Sequence, residues 1–347
     1  MPAEWEPHRA TWLAWPHKRG DWPTKYEAIP WVFAEIARLL QGGERVGILT
    51  TAAVQQSAAR VLRVSGVDLA KVEFVRSPTD RSWTRDYLPS FVLREGDPAG
   101  RRLEAVKWRF NGWARYPDHK DDERAGQQLP EHLGAPMVFP ELCVRGRSKR
   151  LVAEGGGLEV DGEGTLITSE YCLLTGPRCR NRGASRAALE TAFRDALGVE
   201  RVLWVGDGIA GDDTSGHVDD FVRFVAPGVV VLCHEANKSD PNHANLRAAR
   251  AILRRSRDAR GRKLRIVDLP MPAPVAYRGE RLPASYANFY IANQVVLVPV
   301  FNDPNDWVAL GILRDLFPTR SVVGVYARDL VLGLGTLHCS TQQEPLP

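Results

Sequence analysis

Short continuous runs of β-branched and aliphatic residues alternate along this chain with longer amphipathic segments, and that alternation limits the fold more than any other feature. The runs 229–233 and 295–299 have no charged residue on either side of the pleat, the pattern of strands covered on both faces. The runs 45–49, 71–75, 166–168, 202–205, 221–224, 264–267 and 321–325 are further short β-branched strand candidates, many of them continuously apolar. Between them, helical spacing predicts helices over 26–40, 53–64, 121–133, 185–197, 243–257 and 304–316. Two carry clear end signals. In 185–197, Ser185 caps, Leu189, Phe193 and Leu197 share a face, and Gly198 stops the helix. In 304–316, Asp303 caps, Pro304 takes the first helical position, Val308, Ile312 and Leu316 form the apolar stripe, and Pro318 ends it.

Strands interleaved with helices predict the α/β class. The last five helices recur about every 60–70 residues, with no sequence self-similarity to match. No Gly/Ser linker divides the chain, and the turn at 94–103 and the Pro-rich 270–283 read as loops, so one domain over 1–347 is expected. At 44% hydrophobic and 25% charged residues over 347 positions, the chain can bury a core without disulfides or metals.

Five cysteines, at 143, 172, 179, 233 and 339, form no C-x-x-C pair, which leaves no zinc or thioredoxin-like motif and fits a reducing, cytoplasmic setting. The opening MPAEWEPHRATW has neither the basic nor the apolar region of a secretory signal. No apolar run approaches the roughly 18–20 residues that span a membrane. The segment 247–265 holds eight Arg and one Lys, but no aromatic residue is interleaved to stack on bases and the net charge is only +4. A solvated helix face is therefore expected there, with neither nucleic acid nor membrane as a partner.

Chemistry is concentrated in four polar segments: Ser82-Trp83-Thr84-Arg85-Asp86, Glu154 before three glycines, Asp213-Thr214-Ser215-Gly216-His217-Val218-Asp219, and 335–343 with His338 and Cys339. Singly, each has a plain structural reading. Asp86 beside Arg85 fits a loop ion pair, Glu154 a turn, His217 and Asp219 a strand-edge pair, and Cys339 a small buried hydrophobe. Together they supply a nucleophile, an acid/base and an anionic cradle. Carboxylates can grip the rigid donor fork of a guanidinium, and a bound cation would lower the thiol pKa. The rival is a metal site built from His217, Asp219, Asp86 and Glu154, since His-x-Asp on a strand would turn both side chains to one face. That reading leaves Cys339 without a task.

The order of motifs resembles the agmatine deiminase and bacterial peptidylarginine deiminase family of the guanidine-modifying superfamily. The resemblance runs from MPAEWEPHRATWLAWP through SWTRD, EGGGLEVDGEGTLITSEYCLL, DTSGHVDDFVRF and SYANFYIANQVVLVPVFNDPND to FPTRSVVG and HCSTQQEP. It implies a five-bladed α/β propeller of pseudo-fivefold ββαβ units. It also implies cofactor-free, metal-free hydrolysis of a small cationic guanidino compound, most simply agmatine, to a ureido product and ammonia. By position, Cys339 resembles the nucleophile, His217 the acid/base and Glu154 the group that holds His217 or completes the cradle. Asp86 and Asp219 resemble the carboxylates on the guanidinium, Gly335 a close backbone approach, and Trp83 a pocket wall. Asp213, with Asp212, is a candidate reader of the substrate's distant amine, although both also suit a turn. Family members acting on agmatine commonly read RDTGP where this chain has Arg85-Asp86-Tyr87-Leu88-Pro89, and a fuller glycine run where it has Gly333-Leu334-Gly335-Thr336. These departures leave peptidyl arginine, free arginine or another guanidine open as substrates. A metal-dependent hydrolase and an inactive binding protein are further alternatives. A homodimer is compatible with the sequence but not legible in it.

Overall fold

The computed structural model describes residues 1–95 and 102–347. The middle of the turn expected at 94–103 lies outside them. Among the described residues the chain is a mixed α/β fold that repeats one unit five times. In each unit an antiparallel strand pair is followed by a helix and a third strand, parallel to the second. Four units follow each other in sequence. Ser90–Arg94 and Arg102–Val106 lead through helix Lys120–Leu133 to Met137–Val138. Leu158–Val160 and Thr165–Ser169 lead through Arg186–Leu197 to Arg201–Val205. Val222–Ala226 and Val229–His234 lead through Pro241–Arg255 to Arg265–Pro270. Tyr290–Ile291 and Val295–Val300 lead through Asn305–Leu316 to Ser321–Tyr326. The fifth unit joins distant parts of the chain. Gln342–Pro345 pairs antiparallel with His8–Ala14, and helix Ile29–Leu40 leads to Arg45–Thr50. A further helix, Ala52–Val64, adds strand Val72–Arg76 to that sheet.

All nine expected strands are present within three residues of their expected limits. The second strands are sealed on both faces: Val230, Val231, Leu232 and Cys233 are all buried, as are Val296, Leu297 and Val298. Strands with more polar or shorter sequences escaped the pattern, among them Gln342–Pro345, Glu141–Val144 and Leu158–Val160. All six helices are also present. The Ser185 hydroxyl accepts from the Ala188 N–H, and Gly198 takes the left-handed conformation at the C-terminus. The helix expected from 26 starts at Ile29, after a 3₁₀ turn Tyr26–Ala28. The helix expected from 243 starts at Pro241, because Asp240 accepts the Asn242 N–H.

The stripe expected on the last helix is overturned. Asp303 does accept the Asn305 N–H, but the buried face is Ala309, Leu310 and Leu313, and Val308 is half exposed. The polar residues of this helix, Asn305, Asp306, Arg314 and Asp315, are spread around it, so more than one apolar face satisfies helical spacing. Packing against Ser321–Tyr326 and Arg265–Pro270 selects between them.

Candidate active site

Each unit sends one chemically useful segment into the same region, just before its first strand. Asp86 lies on the one-turn helix Thr84–Tyr87, ahead of Ser90–Arg94. Glu154 enters the 3₁₀ turn Gly155–Gly157, ahead of Leu158–Val160. His217 and Asp219 flank the start of the turn Val218–Asp220, ahead of Val222–Ala226. Asn288 precedes Tyr290–Ile291, and Cys339 precedes Gln342–Pro345. His217-Val218-Asp219 is therefore not a strand, and the single-face argument for a metal site fails at its first step.

The side chains converge on Gly156. A β-carbon there would lie 2.7 Å from His217 Nδ1, 2.9 Å from Asp86 Oδ1 and 3.0 Å from Asp219 Oδ2. Asp86 is held by the Trp113 indole, which donates to Oδ2 at 2.8 Å, and by the Gly156 N–H, which donates to Oδ1 at 3.0 Å. It does not pair with Arg85, whose guanidinium reaches Gln343 at 2.6 Å and Glu4 at 3.3 Å. Burial pushes the Asp86 carboxyl up to about 6.

His217 turns its two ring nitrogens to different carboxylates, with Nε2 3.4 Å from Glu154 Oε2 and Nδ1 3.6 Å from Asp86 Oδ1. His217 meets Asp86 and Glu154 through different ring nitrogens, so the rival metal set of His217, Asp219, Asp86 and Glu154 does not gather on one nitrogen of this ring. Among the described residues the groups with donor atoms close enough for an ion are Glu154–Cys172–His217 and Asp219–Asp220–Cys339. Burial disfavours a charged imidazole, but Asp86, with Cys172 and Glu154, outweighs it and holds His217 well above its ordinary pKa. Glu154 is fixed in turn by Arg180 at 2.7 Å. Burial would raise its pKa, and the Arg180 charge and His217 bring it below the usual value.

Cys339 sits in a turn in which Ser340 N–H donates to Thr336 O. Its Sγ lies 3.2 Å from Asn288 Nδ2 and 3.7 Å from Asp219 Oδ2. Burial, then Asp219, Asp220 and Asp86, push this thiol well above its ordinary pKa. These surroundings favour the thiol over the thiolate, and a cation placed among the carboxylates would counter them. Two buried atoms here, His217 Nδ1 and Asp219 Oδ1, have no hydrogen-bond partner among the described residues, and of the two the carboxylate oxygen is the acceptor a cation's N–H group would meet.

A cavity of about 600 Å³ opens onto this centre. Asp86, Trp83, Gly335 and Cys339 line it, together with Trp113, Tyr116, Asp213 and Leu334. Trp83 combines both readings given to it. It walls the cavity and packs on Trp22 with ring centroids 5.6 Å apart. A β-carbon at Gly335 would come within 2.9 Å of the Trp83 ring and 3.1 Å of Cys339 Cβ, so glycine is required there. Leu334 takes a left-handed φ of 68°, the conformation that a glycine at the departure from the family pattern would adopt without strain. Asp212 is the turn residue, accepting from Thr214 and Gly216 N–H. Asp213 instead reaches the cavity wall and accepts the Tyr116 hydroxyl at 2.6 Å.

The motif reading did not assign Asn288, His338, Arg180, Trp113 or Glu4. All but Arg180 and Trp113 fall inside the quoted motifs. Asn288 also stands where every other unit places its functional group, just before a first strand.

Repeated ββαβ units with a thiol, an imidazole and carboxylates around one cavity define the guanidine-modifying class of α/β proteins. Within it, the chain belongs to the Porphyromonas-type peptidyl-arginine deiminase family, whose model matches residues 1–345. It is 38% identical to the agmatine deiminase of Stutzerimonas stutzeri over 370 residues, covering all of this chain and 95% of that protein. It is 37% identical to that of Pseudomonas aeruginosa over 372 residues, with the same coverage. The structure of the Enterococcus faecalis agmatine deiminase superposes with a TM-score of 0.89 at 30% identity, over 99% of this chain and 95% of that one. An amidinotransferase from Microseira wollei, at 12% identity and a TM-score of 0.51 over 99% and 96% of the chains, shares the fold alone.

Proposed function

We propose that the protein is an agmatine deiminase, hydrolysing agmatine to N-carbamoylputrescine and ammonia. The observation that carries this reading is the buried Asp219 Oδ1, which has no hydrogen-bond partner among the described residues, in a carboxylate that meets Asp86 and His217 around Gly156 and lies 3.7 Å from the Cys339 thiol. That arrangement suits a planar cation with several N–H donors, and the full-length curated relatives are agmatine deiminases. The five units, with the two ends of the chain paired in one sheet, support a closed five-bladed propeller as a single domain.

In this reading Asp86 and Asp219 accept N–H bonds from the guanidinium. Its charge offsets the carboxylates that raise the Cys339 pKa, so the thiol loses its proton to solvent as substrate binds. The thiolate attacks the guanidinium carbon, and His217 gives its proton to the departing nitrogen, which leaves as ammonia. An S-alkylthiouronium remains on Cys339. Neutral His217 then takes a proton from water as its oxygen bonds to that carbon. Collapse forms the ureido carbonyl and expels the sulfur, the proton of the new hydroxyl passing to it, so that Cys339 returns as the thiol and His217 as the imidazolium. Glu154, locked by Arg180, keeps the His217 ring oriented throughout. Asp213 and Tyr116 on the wall read the distant amine.

A colorimetric ureido assay with agmatine, free arginine and a peptidyl arginine tests the substrate, with agmatine expected to be preferred. Cys339→Ala is expected to abolish turnover, and equal rates in the variant and the parent protein would refute the nucleophile assignment. Stoichiometric zinc or manganese in active protein would favour the metallohydrolase instead.

A further inference from the structure

His338, next to the nucleophile in sequence, lies between two carboxylates. Its Nδ1 is 2.7 Å from Asp219 Oδ2 and its Nε2 is 2.7 Å from Glu4 Oε2. All three residues are buried. An ionised carboxylate oxygen only accepts, so a ring nitrogen that bonds one does so as the donor. Glu4 is itself pinned. Its Oε1 accepts from Arg223 at 2.9 Å and from the Ile291 N–H at 2.8 Å, and Arg85 lies 3.3 Å from Oε2. Asp219 Oδ2 also accepts from Asn288 Nδ2 at 3.2 Å, while Oδ1 has no partner among the described residues. One oxygen of this carboxylate is therefore fully committed to the protein and the other is left for a ligand.

We infer that Glu4 and His338 are positioning residues, clamping one oxygen of Asp219 so that the other faces the substrate guanidinium. The inference rests on the proposed deiminase reading and extends it to a segment far from the site in sequence. His338 transmits to Asp219 the rigidity of the Glu4–Arg223–Arg85 ion cluster. A carboxylate held at one oxygen cannot rotate away when the guanidinium arrives, which is how a supporting group sharpens a binding one.

Two substitutions separate this role from mere packing. The amide nitrogen of Asn matches the position of His Nδ1, so His338→Asn keeps a donor toward Asp219 and loses the Glu4 contact. The amide nitrogen of Gln matches Nε2, so His338→Gln does the reverse. On agmatine, His338→Gln is expected to lose roughly 100-fold in kcat/KM, mostly through KM, and His338→Asn only about 10-fold. Glu4→Gln should raise KM in the parent protein and add little in the His338→Gln background. The opposite ranking of Asn and Gln, or KM values unchanged in all variants, overturns the inference. A second measurement needs no variant. In protein carrying ¹⁵N-labelled histidine, the His338 Nδ1–H toward Asp219 should be visible, and millimolar guanidinium chloride should shift its signal. A bare Nδ1, or no shift on saturation, counts against it. If the parent protein does not turn over agmatine, the proposed function fails separately, because the ring-nitrogen readout uses guanidinium alone.

Discussion

Gly156 has no side chain, and the centre of the site depends on that. Any β-carbon there would press on His217, Asp86 and Asp219 at once. Gly156→Ala is therefore expected to cut kcat/KM by roughly 100-fold or more, the scale of a misplacement near 1 Å, while far-ultraviolet circular dichroism stays that of the parent protein. Asp86 sets a second expectation. Burial raises its carboxyl to about 6 in the free protein, and only the ionised form can hold a guanidinium. The kcat/KM for agmatine should accordingly fall as pH drops through about 6, a limb that a pH profile of the free-enzyme parameter will show or exclude. The Cys339 thiol shifts the other way from a typical reactive cysteine: its alkylation by iodoacetamide in the free protein should be slow at pH 7 and still rising at pH 9. At this scale the motifs named most of the chemistry but not the partnerships. The plain structural reading pairs Asp86 with its neighbour Arg85, whereas in space Arg85 serves Gln343 and Glu4. Nothing in a linear sequence states which carboxylate a buried guanidinium will meet.

Elements were legible where local signals sufficed. Helix Arg186–Leu197 has its cap, its buried stripe of Leu189, Phe193 and Leu197, and its glycine stop in the expected places. Ser185→Ala should cost about 1 kcal/mol through the lost cap, read as a lower denaturant midpoint with an unchanged slope. Helix Asn305–Leu316 shows the limit of such signals, because a helix with its polar residues spread around it does not say which face it will bury. The strand Gln342–Pro345 shows another. Its residues have little strand preference of their own. It forms because the backbone pairs with His8–Ala14, the Trp12 indole donates to Glu344 at 2.9 Å, and Arg85 donates to Gln343.

At the scale of the whole molecule, that strand joins the two ends of the described chain in one sheet. A chain stopped after Thr341 keeps Cys339 but leaves the Arg85 charge and the Trp12 indole without these partners. It should lose about 3 kcal/mol of stability or more together with turnover, as a thermal melt and the ureido assay will register. The basic segment 247–265 is partly neutralised by its surroundings: Arg250 pairs with Asp268, and Arg262 with Asp258 and Glu163. No helix among the described residues is long and apolar enough to cross a membrane. The alternation of covered strands and amphipathic helices determined the α/β class by itself, because burial on both faces leaves a mark in hydrophobicity alone. The motif order likewise marked Cys339, His217, Asp86 and Asp219 as one candidate set. Only the tertiary structure decided that five segments, each entering the first strand of its own unit, meet at one point. It also decided that Asn288, His338 and Glu4 stand behind them. Hydrogen bonds across hundreds of residues depend on how the units pack, and no local spacing in the chain encodes that.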